Sequence, residues 1–429
     1  MTTHIYWFRN DLRLADNAAL SAACKAAKQL LIVYCHDPLQ EKMTPWGFAR
    51  RSEHRRDFLD ATLADLQGQL HKRDQRLLEL SGRPREVLPL LAQLTGATDI
   101  HCEEIAAPEE VRELDALRRS GLKVHATWQS SMLAPNKLPF AVQDLPDVFT
   151  NFRNKVERAG VVPPAPLRMP LRIPPPEFSL DTLPLHNKPR SSAGVDDARS
   201  SFPYRTPAFA GGETAAAAHL AQYFSDTRAH SYKETRNGLS GTEYSSKFSP
   251  WLASGALSAR TAYAGLKNFE ATHGANDGSY WLWFELLWRD YFRFLHLQHG
   301  TALFLPQGLS DAGTPPHDEK KFARWCAGKT REPFVDAGMH ELAATGYLSN
   351  RLRQIVASYL VHDLACDWRA GAAWFESQLL DFDVCSNQGN WLYLAGRGTD
   401  PRNGRRFNPQ KQAQDYDADG RYRLLWQMP

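Results

Sequence analysis

Nowhere in its 429 residues does this chain run for the ~20 uncharged apolar residues a helix needs to cross a bilayer, so no membrane span is expected. The N-terminus, MTTHIYWFRND, lacks a charged region followed by an apolar run, so no signal peptide is expected either. Neither GxGxxG nor GxxxxGKS/T occurs, which leaves a dinucleotide or triphosphate without motif support. The six cysteines form no CxxC pair and show no metal-ligand spacing. Reduced thiols in a cytoplasmic protein, and no metal, are the expectation. One-signed charge is missing too: 51 basic against 48 acidic residues leave a net +3. That is too little to imply nucleic acid, and any such case must rest on where the charge sits.

What is present is uneven. Of twelve tryptophans, only Trp7, Trp46 and Trp128 precede residue 250. The densest aromatic stretch is YWLWFELLWRDYFRF, Tyr280–Phe294, where only Glu285, Arg289, Asp290 and Arg293 carry charge. Glu285 and Arg289 are four apart, so on a helix they share a face, with Trp281, Trp288 and Tyr291 beside them. A helix this aromatic buries most of its surface, and buried charge must be paired or bonded. The segment reads as the wall of a pocket suited to a planar ring system.

The length favours two domains. Over residues 1–132, strand-like runs (Ile5–Phe8, Leu30–Asp37, Thr98–Glu103, Lys123–Gln129) alternate with helical spacing (Arg56–Leu70, Arg85–Leu94, Pro108–Arg119), and Asn17 can cap a first Ala-rich helix. This predicts an α/β domain, an open parallel sheet with helices on both faces. Residues 133–202 are proline-dense and then polar (KPRSSAGVDDARSS), expected to be a long connector rather than core. Residues 203–429 predict an all-α domain, with helices over Thr214–Phe224, Ser258–Thr272, Tyr280–His299, Lys320–Ala327, Phe334–Ala344, Asn350–Leu364 and Gly371–Asp381. The basic run RRSEHRR, Arg50–Arg56, reads as an exposed helix start.

Several long motifs then stand in order: WFRNDLRLADN, YKETRNGLSGTEYSSKFSPWLASGALSAR, FELLWRDYF, ATGYLSNRLRQIVASYLVHDLACDWR and DFDVCSNQGNWLYLAG. Together they closely resemble the photolyase/cryptochrome flavoproteins, and the YKETRNG and Tyr244–Ser249 wording is most similar to the cryptochrome-DASH branch. The resemblance implies FAD in the helical domain and an antenna chromophore on the α/β domain. It implies blue-light repair of cyclobutane pyrimidine dimers, in single-stranded or looped DNA, by an electron from reduced FAD. The alternative is a blue-light photoreceptor that binds nucleic acid or a partner; the chain's end at Pro429, without a signalling tail, favours the enzyme. No obligate protein partner is evident.

Residue by residue, Tyr232, Ser245, Ser246 and Ser249 precede the helix-like PWLASGAL, and hydroxyls with free N–H groups there suit a diphosphate. The resemblance places FAD on this block, Lys247 and Phe248 included, and on Leu282, Glu285, Arg289, Asn387, Asp381 and Asp383. It pairs Arg353 with Asp381 and sets Asn350, three before Arg353, at flavin N5. It makes Glu285 the group that touches the dimer's base edge, with Trp288 and Tyr347 as its aromatic frame. Trp391 and Trp368 match the inner two members of a tryptophan electron-transfer chain. The outer one, expected near residue 315, is missing from GTPPHDEKK, leaving Trp325 or Trp374 for the last step, or reduced flavin supplied by the cell. Arg289, Arg351 and Arg405 match DNA phosphate contacts within a basic cluster that includes Arg397, Arg402, Arg406 and Lys411. For an antenna of 5,10-methenyltetrahydrofolate, Glu110 aligns best among Glu103, Glu104, Glu109 and Glu110, although acids also suit a helix N-terminus.

Overall fold

The structure, a computed structural model, describes residues 2–177, 194–402 and 404–428. Five parallel strands form one sheet in the order β3-β2-β1-β4-β5: β1 (Thr3–Phe8), β2 (Gln29–His36), β3 (Leu77–Ser81), β4 (Asp99–Glu103) and β5 (Lys123–Thr127). Central β1 is buried at all six positions, as a strand covered on both faces must be. Ile5 and Trp7 face one apolar layer, Tyr6 and Phe8 the other. Helices α1 (Ala18–Ala26), α2 (Glu53–His71), α3 (Pro84–Thr95) and α4 (Pro108–Arg119) cross between the strands. Asn17 caps α1, its Oδ1 accepting from Leu20 N at 2.9 Å. The five-residue β3, with a glutamate at its centre, had no pattern long enough to announce it.

The helical part comprises α6 (Glu213–Tyr223), α7 (Tyr232–Thr235), α8 (Ser249–Ser254), α9 (Ala259–His273), α10 (Asp277–His299), α11 (Glu319–Cys326), α12 (Pro333–Thr345), α13 (Asn350–Ser358), α14 (Trp368–Gln378), α15 (Val384–Ala395), α16 (Pro409–Tyr416) and α17 (Arg421–Leu425), after α5 (Phe149–Arg158). The helix expected through Leu364 ends at Ser358, and the chain continues as a π-helical turn, Tyr359–Asp363. Helix α14 starts earlier than its spacing suggested because Asp367 caps it, and it stops at Gln378.

Two expectations fail here. The proline-dense connector contributes core: Phe149, Phe152 and Val156, one face of α5, are at most 4% exposed and join Leu145 in the layer under α10. Flanking prolines masked that i, i+3, i+7 spacing. Of the polar stretch 188–201, residues 188–193 lie outside the described residues, and Ser200 and Ser201 at its end are buried. Within the basic run 50–56, expected to be exposed, Arg50 and Arg55 turn inward, while Arg51 and Arg56 pair with exposed Glu41. Arg50 pairs with Glu109 at 2.8 Å and Glu376 at 2.6 Å, and Arg55 donates to the Glu376 carbonyl while lying 4.7 Å over the Phe382 ring. Ser52, as cap of α2, sets the direction that turns these side chains toward α14.

Candidate functional site

Each charge on α10 goes to a different place. Asp290, wholly buried, accepts from Met132 N and Leu133 N, and burial pushes its carboxyl up to about 6. Arg293 binds Asp383 at 2.5 Å. Arg289 donates to the carbonyls of Ser130 and Leu252, and burial draws its guanidinium down to about 10. Glu285 pairs its carboxylate with Arg236, whose guanidinium lies 4.7 Å over the Trp281 ring. Burial raises the Glu285 carboxyl above its usual range, and Arg236 partly counters this.

Glu285, with Leu282, Trp288 and Arg289, forms one wall of a cavity of about 350 Å³. The second wall is the segment Tyr244–Phe248 with Tyr232. Ser245 and Lys247 take positive φ, 60° and 57°, the left-handed backbone from which anion-binding concavities are built. His219 Nε2 donates to the Ser246 carbonyl at 3.0 Å. Helix α8 after Ser249 is only six residues long, so the segment's own amides and hydroxyls, more than a helix dipole, make this cradle. The third wall holds Arg353, which bonds Asp381 at 2.8 Å. Burial works against the Arg353 charge, but Asp381 outweighs it and raises the guanidinium above its usual value. The other oxygen of Asp381, Oδ1, is buried without a partner, as are Lys247 Nζ and Tyr244 Oη. Orphaned polar atoms around one cavity fit a polar ligand that would complete them.

Of the sequence-derived residues, Tyr232, Ser245, Ser246, Lys247, Phe248, Ser249, Leu282, Glu285, Trp288, Arg289, Tyr347, Asn350, Arg353 and Asp381 all line this cavity. Trp288 is held at 3.8 Å against Phe149 of α5, nearly parallel, and Tyr347 stacks at 5.5 Å on Phe202. Asn350 opens α13, lines the cavity and is exposed.

Others fall elsewhere. Asp383 caps α15 through Ser386 N, and although burial opposes its charge, Arg293 and Arg289 hold its carboxyl far below the usual range. Asn387 donates to the Ala372 carbonyl at 3.0 Å and lines a second cavity, about 570 Å³, between the sheet and the helices. Glu110, Trp368 and the inward arginines share that second cavity. Burial raises the Glu110 carboxyl, with Arg9 countering. Arg289 is not available to DNA as expected, being committed to Ser130 and Leu252. Arg351 bonds Gln354 and Asn237 and lies 4.7 Å over Tyr416, while Arg405 stands 3.7 Å from Asp400 and 4.9 Å over Tyr393. Trp391 and Trp368 are each 1% exposed, and Trp325 is wholly buried, so it cannot serve as an exposed end of a chain. Trp374 is half-buried against Phe48, at 4.9 Å.

Sequence reasoning missed Arg236, Tyr244 and Glu341. Arg236 sits inside YKETRNG, but its partner is 49 residues away, a distance no local pattern bridges. Glu341 is buried in α12 and bonded by Tyr422 and Ser201.

Comparison with known proteins agrees with this geometry. Residues 4–170 match the family model described as DNA photolyase, and residues 281–427 the FAD binding domain of DNA photolyase. The chain is 42% identical to cryptochrome DASH of Synechocystis, over 99% of this chain and 87% of that one. It is 44% identical to cryptochrome DASH of Xenopus laevis, over 97% of this chain and 81% of that one. The crystal structure of the Synechocystis cryptochrome superposes with a TM-score of 0.93 at 42% identity, covering 99% and 88% of the two chains. A class III photolyase from Agrobacterium tumefaciens reaches 0.81 at 29% identity, covering 99% and 86%. With the parallel-sheet domain, the helical FAD-binding domain and its polar cavity in place, this chain belongs to the photolyase/cryptochrome family as a flavoprotein of the cryptochrome-DASH branch.

Proposed function

We propose that this protein repairs cyclobutane pyrimidine dimers in single-stranded or looped DNA under blue light. The observation that carries the reading is one cavity holding both an anion cradle (Tyr244–Ser249 with Arg353–Asp381) and a polar-aromatic edge (Glu285, Trp288, Asn350). Bound in that cavity, reduced FAD would supply light-driven one-electron chemistry. The residues do the rest. Ser245, Ser246 and Ser249 would offer hydroxyls and amides to its diphosphate, and the Arg353–Asp381 pair would offer a donor and an acceptor to its ring system. Glu285, whose raised carboxyl is held by Arg236, can accept or share a proton at a base edge without leaving an unpaired charge. Trp288, locked by Phe149, presents a flat face, and exposed Asn350 offers an amide that both donates and accepts. Arg351 and Arg405, both part-exposed, suit phosphates.

The second cavity suits an antenna of the 5,10-methenyltetrahydrofolate type, with Glu110 on its wall to meet a pterin's donor groups. The deciding experiment is repair of a dimer-containing single-stranded oligonucleotide by the holoprotein with reduced flavin under blue light. Glu285→Gln is expected to slow repair by roughly 10- to 100-fold, the worth of one charge-assisted hydrogen bond. Intact dimers after illumination of the unmodified protein would reject the reading.

A further inference from the structure

We propose that Lys247 couples a proton to anion binding in the 350 Å³ cavity: an anionic ligand is held while Lys247 is charged and released when Lys247 gives its proton to solvent. The inference rests on the reading above, in which that ligand is the diphosphate of FAD, and adds how its retention is regulated.

The geometry is unusual for a lysine. Lys247 is 2% exposed, on a segment with positive φ, and its Nζ has no hydrogen-bond partner. The ammonium lies 3.2 Å above the Tyr244 ring centroid and 5.0 Å from that of Tyr347. Two aromatic faces favour a cation, but they cannot replace acceptors for three N–H bonds removed from water. Every charged group that faces it is otherwise engaged. Glu341, from α12, spends its oxygens on the Tyr422 and Ser201 hydroxyls. Arg353, from α13, is a like charge tied to Asp381, and Glu243 is exposed, bonded to Arg228.

Burial depresses Lys247 well below its ordinary value and raises Glu341 to about 7, so both incline toward neutrality while the cavity lacks an anion. An entering phosphate supplies what is missing: an acceptor for Nζ and a charge that makes protonation favourable. One proton then comes from solvent with each ligand bound and returns to solvent on release. No electron moves.

The test follows flavin release from diluted holoprotein, by recovered flavin fluorescence, from pH 6 to 10. In the unmodified chain, release is expected to accelerate at alkaline pH by roughly 10- to 100-fold, the worth of a hydrogen bond to a charged group. Lys247→Met is expected to release flavin fast at every pH. Lys247→Arg, which stays charged, is expected to remain slow throughout. An alkaline rise that persists in Lys247→Arg overturns the proposal and assigns the titration to Glu341 or another group; this variant decides even if Lys247→Met fails to fold. If no flavin co-purifies with the unmodified chain, the FAD reading fails by itself. Inorganic pyrophosphate titrated calorimetrically in two buffers of different ionisation enthalpy then judges Lys247, and binding without proton uptake counts against it.

Discussion

Arg353 and Asp381 show how a single pair carries both stability and function. The Asp381 side chain is 2% exposed, and its partner Arg353 is 22% exposed. Removing one member of a buried pair leaves the other charge without compensation, which typically costs 3–5 kcal/mol, whereas replacing both with apolar residues often costs far less. Asp381→Ala is therefore expected to lower unfolding stability by about 3–5 kcal/mol. The double replacement Arg353→Met with Asp381→Leu is expected to recover most of that loss while still failing to retain flavin. Denaturant titration of the two variants, beside their flavin content, separates the roles. Equal losses in both would show that the pair contributes packing alone. This pair was legible in the sequence only through the resemblance, since its partners lie 28 residues apart.

At the scale of elements, three strands place histidines in a column. His4 of β1 meets His101 of β4 at 3.0 Å, and His101 stacks at 4.5 Å on His125 of β5, which bonds Asp99 at 2.6 Å. Burial, then the neighbouring His125 and His4, draw His101 down to about 4. Its folded value lies below the ordinary 6.5, so the unfolded chain binds the extra proton first. Stability from this group is full above about pH 6.5 and is lost as pH falls toward 4, by on the order of 1–3 kcal/mol. Urea unfolding at pH 7.5 and 5.0 checks it: the loss should shrink in His101→Phe. The register that aligns these side chains, His4 against Asp99 and His101 against His125, belongs to strand pairing and is invisible in any one strand. For the same reason α5 escaped the sequence reading: its apolar face acquires meaning only against Trp288 and Tyr291 of α10.

At the scale of the whole molecule, the two halves are joined by close backbone contact. Leu12 N donates to Ser254 O at 3.2 Å, and Arg13 donates to Gly255 O at 2.9 Å. Gly255 ends α8 with φ 72°, and a Cβ there would fall 1.9 Å from the Asn10 carbonyl oxygen. No side chain can be accommodated without moving the α/β domain off the segment that leads from the cavity wall. Gly255→Ala is expected to cost roughly 1–3 kcal/mol from overpacking alone. It should also loosen the second cavity, which both halves line. A lowered Tm with weakened flavin retention is the expected result; an unchanged Tm would mean the halves shift freely.

By itself the sequence determined the kinds of layer and the motif-bearing residues. Period-two and period-3.6 patterns follow from local geometry, and Ser245–Ser249, Glu285, Arg353 and Asp381 sit in contiguous motifs. Tertiary structure alone decided which of them meet. It sent Arg289 to backbone carbonyls and Asp383 to Arg293, put Asn387 and Glu110 in a different cavity, and paired Glu285 with Arg236. The physical reason is that burial forces each charge to find its complement, and that complement is set by packing between elements far apart in the chain.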